Sequence, residues 1–201
     1  MNLTPVTLHG SFVRLEPLSP DHVDGLWSVG TDPEIWRWTT AQPANREEMT
    51  RYVSTALDWQ AAGTALPFAT VLRSENRVIG STRFANADLA NRRVEIGWTW
   101  LAPAWQRTAA NTEAKFLMLR HAFETLGCIR VEFKTDRLNE KSRRALAGIG
   151  AKEEGTLRSH MIVTDGRIRD SVYFSVIAPE WPEVRRALET RLRSRTAADS
   201  H

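Results

Sequence analysis

The sequence predicts a mixed α/β domain, on three observations. Short runs rich in Val, Ile, Thr, Trp and Phe cluster between Leu66 and Leu101, separated by turn residues at hairpin spacing. The strongest helical periodicity, Thr112 to Leu126, falls after those strands and before another. The chain of 201 residues shows neither an internal repeat nor an interdomain linker. A single domain of that length buries roughly 70% of its unfolded surface. The order is strands, helix, strand, helix, then two more strands, which is the pattern of a mixed sheet covered by helices.

Each element has a local reason. Residues 1–8 read as a loose arm. Phe12 to Leu18 alternates and reads as a strand. Ser19-Pro20-Asp21 then opens a short helix, with a good N-cap and a proline in the first turn. Val23, Leu26 and Trp27 are its apolar positions, and TDPEIWRWTTAQPAN follows as a turn-rich linker. Asn45 to Ala62 reads as a helix striped by Met49, Tyr52, Val53, Ala56 and Trp59, and Gly63 ends it. Leu66 to Leu72 and Arg77 to Phe84 are strands joined by a turn at SEN. In the strand Arg93 to Leu101, alternation places Val94, Ile96, Trp98 and Trp100 on one face and Glu95, Gly97 and Thr99 on the other. Thr112 to Leu126 carries Phe116, Leu119, Phe123 and Leu126 at helical spacing and closes at Gly127. Ile129 to Thr135 is a strand, and Asn139 to Ala147 a short helix. Gly155 to Val163 and Ser171 to Ile177 are strands joined through TDG. The tail after Trp181 starts helical, and residues 194–201 are expected to be flexible.

Composition narrows the function classes. The net charge is +3, with arginine far outnumbering lysine. Either a basic surface meets an anionic partner, or arginines are simply spread over solvated faces. TLRSHMIVTDGRIRD and RRALETRLRSR are both interrupted by acidic residues and lack interleaved aromatics, so no nucleic-acid partner is expected. An anionic small ligand explains the charge as well. No apolar stretch approaches the ~20 residues that span a bilayer, and MNLTPVTLHG lacks the pattern of a signal peptide. Cys128 is the single cysteine, so no intrachain disulfide forms, and a cytoplasmic location fits. Cys128 itself reads as a small buried apolar residue. No His/Cys/Asp cluster has metal-ligand spacing, so no metal is expected.

One junction carries chemistry. The run WQRTAANTEAK joins the strand VEIGWTWL to the strongest helix. The first N–H groups of a helix lack intrahelical acceptors and, with the macrodipole, favour an anion. Ala109, Ala110 and Asn111 are small enough for close approach, while Thr108, Asn111 and Arg107 add hydrogen bonds and charge. The residues alone leave this open between an anion cradle and an ordinary loop.

The wider context resembles the GNAT acetyltransferase superfamily, within it the ribosomal-protein N-terminal acetyltransferase-like (RimJ/RimL-like) branch. The hallmark there is a strand, Q/R-x-x-G-x-G/A, then a helix often beginning near E-A. Gln106 matches the first position, Glu113-Ala114 the E-A pair, and Glu95-Ile96-Gly97 a common E-I-G in the strand before. Asn139-Glu140-Lys141-Ser142 matches N-x-x-S, and ALAGIGAKEEGTLR resembles ALxxxGxxxEGxLR. The resemblance runs from about Phe12 to about Trp181, with one departure: Ala109 and Asn111 stand where the glycines would. A turn in helical dihedrals needs no glycine.

The resemblance implies a twisted, mostly antiparallel sheet of six to seven strands, splayed near its middle, with helices on both faces. It implies acetyl-CoA, its pyrophosphate cradled by Gln106, Arg107, Thr108, Ala109, Ala110 and Asn111. The pantetheine arm would pair with the backbone of Thr99, Trp100 and Leu101, and Asn139 would bond a pantetheine amide or serve only as a helix N-cap. Ser142 would reach the thiol, or stay solvated. The reaction would be direct transfer to a primary amine, on a protein N-terminus or a small molecule. Glu95 is the candidate base, the alternative being an ion pair with Arg93; His160 and His121 are rival bases. Many relatives use a tyrosine acid after the asparagine; none stands between Asn139 and Gly155, so Ser142 or water is the candidate proton donor. The N–H groups of Trp100 and Leu101 would polarise the thioester oxygen. Trp36, Trp38 and His160 are candidates to line the acceptor pocket, with plain packing the other reading of the tryptophans. A CoA-binding module without turnover and a transferase for another acyl group, such as succinyl, are the alternatives. A homodimer is allowed.

Overall fold

The structure is a computed structural model that describes residues 2–198. Eight strands form one sheet: β1 Leu8–His9, β2 Val13–Pro17, β3 Leu66–Leu72, β4 Arg77–Asp88, β5 Arg93–Leu101, β6 Arg130–Asp136, β7 Lys152–Ile162 and β8 Ile168–Ile177. Their spatial order is β1-β2-β3-β4-β5-β6-β8-β7. All neighbours are antiparallel except β5 and β6, which run parallel. The strand beyond the expected six to seven is β1, whose two residues are too few to show a period.

The helices are α1 Val23–Val29, α2 Arg46–Ala61, α3 Ala109–Arg120, α4 Glu140–Gly148 and α5 Trp181–Ala198. Asn45 caps α2, accepting from Glu48 N at 2.9 Å, and Gly63 leaves it with φ +72°. α3 starts earlier than its apolar period suggests, because Thr108 caps it by accepting from Ala110 N at 3.2 Å. Beyond Arg120 it widens into a π turn, His121–Thr125, before Gly127 at φ +66°. α5 reaches Ala198, so residues 194–198 of the expected flexible tail are helical, while 199–201 and Met1 lie outside the described residues.

Two cores flank the sheet. α3 and α5 cover one face, where Phe84, Val94, Ile96, Leu119, Phe133 and Leu188 are buried together. α1 and α2 cover the other over Leu26, Trp36, Met49, Val53, Val71 and Trp100.

Simple alternation fails within β5. Arg83 faces Gly97, yet Ser81 faces Trp100, so β5 holds one residue more than β4 there. That residue sits at Trp98, whose φ is +49°. The bulge exchanges the faces. Val94 and Ile96 point to the α3 core, and after the bulge Thr99 takes that side, bonded to Lys115 of α3. Trp98 and Trp100 therefore share the α2 side with Glu95, which corrects the plain alternation.

The start of β2 is tied to α3 by one carboxylate. Glu113 is 4% exposed and accepts backbone N–H groups from Ser11, Phe12 and Val13, each at 2.7 Å. Gly10 is needed beside it, since a Cβ there would lie 2.4 Å from the Glu113 Cδ. Glu113→Gln keeps the shape but aims an amide NH2 at backbone donors. Bonds to a buried charge contribute about 1.5–3 kcal/mol each. Urea unfolding of this variant is expected to show a loss of about 3 kcal/mol; a change within about 0.5 kcal/mol, the range of neutral surface substitutions, would mean Glu113 does not anchor the arm.

Candidate active site

The sheet opens just before this bulge. β5 pairs with β6 only from Arg93 to Glu95, opposite Arg130 to Glu132. Beyond that, β6 stays paired with β8 through Asp136, while β5 turns away still paired to β4. The β6-facing edge of β5 from Gly97 to Leu101 is thereby left without a strand. An open strand edge offers backbone donors and acceptors to an extended amide chain.

That edge runs into the WQRTAANTEAK junction. Gln106 Nε2 donates to Leu101 O at 2.9 Å, and Lys141 Nζ donates to Gln106 Oε1, which joins α4 to the loop. Arg107 takes φ +63°, so the left-handed turn falls there and not at Ala109 or Asn111. Ala109 and Ala110 are buried in the first turn of α3, and Asn111 is half-buried. Arg195 of α5 donates from Nη1 to Arg107 O at 3.1 Å. Small side chains and the cations Arg107, Lys141 and Arg195 thus gather at the start of α3, which fits a pyrophosphate.

Asn139 caps α4, its Oδ1 accepting from Ser142 N at 3.0 Å. Among the described residues its Nδ2 and the Ser142 hydroxyl make no hydrogen bond. The cap and the ligand roles weighed for Asn139 are therefore compatible, since they use different atoms.

On the α2 side, Glu95 is 4% exposed. Asn86 Nδ2 donates to its Oε2 at 2.8 Å, and Lys134 Nζ lies 3.4 Å from the same oxygen. Arg93 is not its partner: Arg93 bonds Asp88 and Glu132, each at 3.2 Å, because the short parallel pairing sets Glu132 beside it. Lys134 also lies 5.9 Å from the Trp98 ring and 5.8 Å from the Tyr173 ring. Burial pushes the Tyr173 hydroxyl above its ordinary pKa. His160 meets Tyr173 edge-on at 5.9 Å, turned inward by a bulge at Ser159, φ +50°. Burial first, then the charges of Lys134 and Arg169, hold its imidazole below the usual value. His121 packs on Phe84 at the far end of α3, away from this cluster.

The two tryptophans separate. Trp38 is half-buried at the rim, its carbonyl accepting from Arg169 Nη1 at 3.4 Å. Trp36 lies beneath the cleft in the core, 2% exposed, with Nε1 donating to Gly30 O at 2.8 Å and its ring 4.9 Å from Trp100. Burial raises the Cys128 thiol to about 11, which makes it a poor nucleophile.

Sequence reasoning missed Lys115, Lys134, Tyr173, Arg83 and Arg169. Lys115 Nζ donates to Thr99 Oγ1 at 2.6 Å and lies 5.9 Å from the Phe133 ring, so it spans the gap between β5 and β6 on the α3 side. Burial lowers its pKa to about 7. The available signal was a lone lysine in the otherwise apolar run AKFLML.

Comparison with known proteins agrees with this geometry. The acetyltransferase (GNAT) domain matches residues 13–152. A GCN5-related N-acetyltransferase from Brucella melitensis superposes with a TM-score of 0.88 at 33% identity, covering 94% of this chain and 86% of that one. FsC-acetyl coenzyme A-N(2)-transacetylase of Aspergillus fumigatus is 26% identical over 93% of this chain and 83% of its own length. Mycobacterium smegmatis RimJ in complex with CoA-disulfide shares the fold, with a TM-score of 0.82 at 22% identity over 95% and 97% of the two chains. The chain belongs to the GNAT acetyltransferase family and is an N-acetyltransferase that uses acetyl-CoA.

Proposed function

We propose that this enzyme transfers the acetyl group directly to a primary amine held on the Glu95 side of the opened sheet. One observation carries the reading: the free edge of β5 leads from the α3 N-terminus straight to the Glu95–Lys134–Tyr173 cluster. Bound acetyl-CoA supplies the activated acetyl thioester. Gln106 to Asn111 hold its pyrophosphate, the backbone of Thr99, Trp100 and Leu101 aligns the pantetheine arm, and Asn139 Nδ2 adds a hydrogen bond. The Leu101 N–H, which the ladder leaves on the open edge, polarises the carbonyl, while the Trp100 N–H faces β4. Glu95, oriented by Asn86 and Lys134, accepts the amine's proton, directly or through a water. Ser142 Oγ is the proton donor on the cofactor's side. Trp38 and His160 face the acceptor, and Trp36 supports that wall from beneath.

The finer reading places residues 1–201 in a single RimJ/RimL-like acetyltransferase domain in the cytoplasm, with a protein N-terminus or a small amine as acceptor. The motif resemblance supports the branch, and a homodimer is compatible with it. Among the described residues, no helix is long and apolar enough to cross a membrane.

Acetyl-CoA at about 100 times its Kd is expected to stabilise the protein by roughly 2.7 kcal/mol in thermal unfolding. Asn111→Glu is the sharper test. An acid in the first helical turn favours the helix but repels a phosphate. The apo variant should melt no lower than wild type, while its KM for acetyl-CoA rises by about tenfold or more. An unchanged KM would move the pyrophosphate away from this loop.

Lys115 gives a pH test of the β5 edge. Its folded pKa of about 7 lies below the ordinary lysine value. The unfolded chain therefore holds a proton that the folded chain lacks between about 7 and about 10.4, and stability rises with pH across that window. The burial penalty is fully present below about pH 7. Lys115→Met removes this dependence. From pH 7 to pH 10 the stability difference should shift toward wild type by about 2–4 kcal/mol. A constant difference would show that the amine stays charged and hydrated.

A further inference from the structure

Arg83 on β4 is a buried charge with no countercharge among the described residues. It is 1% exposed, and its guanidinium carbon lies 5.1 Å from the Tyr52 ring centre and 5.2 Å from those of Trp59 and Trp98. Its Nε and Nη2 are enclosed and make no hydrogen bond, and among the described residues no carboxylate pairs with it. Arginine stays protonated in proteins, and an enclosed cation without a partner is costly. Aromatic faces offset part of that cost, but they leave the in-plane N–H donors unused.

Arg83 lines a cavity of about 420 Å³ with Thr40, Gln42, Tyr52, Trp59 and Trp98. The other charged groups in that wall are engaged: Arg51 bonds Glu47 at 2.7 Å, and Glu48 accepts from Ala44 N at 2.7 Å. Trp98 is common to this cavity and the catalytic cluster, since Lys134 lies 5.9 Å from the same ring and pairs with Glu95. Arg83 pairs with Gly97 across β4 and β5, and Glu95 lies two residues before Gly97 on the same face, so a molecule anchored at Arg83 has Glu95 beside it along the ladder.

We infer that Arg83 is the acceptor's anion subsite, taking the carboxylate of a small amine such as an α-amino acid and presenting the nitrogen toward Glu95. This rests on the acetyl-transfer reading above. A planar carboxylate matches the planar guanidinium fork. One cation among apolar rings suits one negative charge, whereas a phosphate dianion would remain undercompensated. A peptide N-terminus carries an amide where this site calls for a carboxylate.

The test compares thiol release from acetyl-CoA with L-phenylalanine and L-methionine against the α-amides of the same amino acids. A tryptophan-fluorescence titration with each compound reports binding at Trp59 and Trp98. The acids should exceed the amides in kcat/KM by at least about 30-fold. Arg83→Met should abolish that preference by raising the acid's KM, without lowering the melting temperature or the acetyl-CoA shift, and Arg83→Lys should fall between. Equal use of acid and amide overturns the inference. So does a variant that loses both substrates equally, or one that melts well below wild type, because Arg83 would then be a structural prop. Acids that are neither turned over nor seen by fluorescence, while acetyl-CoA still stabilises the protein, also overturn it. If acetyl-CoA gives no shift, the underlying reading fails instead, and acid-selective fluorescence that Arg83→Met removes then judges the subsite by itself.

Discussion

The end of pairing between β5 and β6 after Glu95 governs the rest of the site. One extra residue at Trp98 follows three positions later, on the unpaired stretch. A parallel pair with full ladders would close the sheet and leave no edge for an extended chain. The same bulge sends Trp98 toward Arg83 and Lys134, and Thr99 toward Lys115. The directions of Trp98 and Thr99 thus follow from a single local irregularity, while Glu95 precedes it and keeps the plain alternation. Bulges re-aim side chains at low cost because the neighbouring ladder persists, here between β5 and β4.

Burial of charge sorts the remaining groups by role. Glu113 is buried but satisfied by three backbone donors, so it stabilises and links the N-terminal arm to α3. Arg83 and Arg169 are buried with enclosed N–H groups left over, and burial holds the Arg169 guanidinium below its ordinary pKa. Such groups reduce stability unless something else engages them. All the unsatisfied ones named here lie on the α2 side, around the Glu95 cluster, whereas the satisfied Glu113 lies on the α3 side. A fold that tolerates unpaired cations on the side proposed to bind the acceptor gives up stability there for recognition.

Much of this was legible from the residues. Asn45, Gly63, Gly127 and Asn139 mark helix ends by local chemistry, and they do so in the structure. β3 and β5 follow their β-branched and aromatic runs, whereas β4 continues past Phe84 to Asp88, β7 begins at Lys152 before Gly155, and β8 begins at Ile168 before Ser171. What escaped depends on register. Alternation in β5 is correct up to Gly97 and inverted after it, and nothing in GWTW says that a residue has been inserted. The partner of Glu95 escaped for the same reason: Lys134 comes from a neighbouring strand, and Arg93 is drawn off by Glu132. Arg83 reads as an ordinary strand arginine until Tyr52, Trp59 and Trp98 are assembled from three elements around it.

The glycine-free loop shows how a resemblance and a physical reading complement each other. A positive φ favours glycine, and in this loop the position with positive φ is Arg107. Ala109 and Asn111 sit within the first turn of α3, where a Cβ meets no conformational penalty. A non-glycine residue in the left-handed region costs about 1–2 kcal/mol, so something must hold it there. Arg195 bonds the Arg107 carbonyl from α5, and Lys141 holds Gln106 from α4. The cradle is therefore braced by two helices distant in sequence, where glycine would have made it pliable. A braced loop presents its amides in one arrangement before any anion arrives, which lowers the ordering cost of binding. The departures from the glycine pattern are then no argument against acetyl-CoA; they transfer the loop's shape from backbone freedom to tertiary contacts.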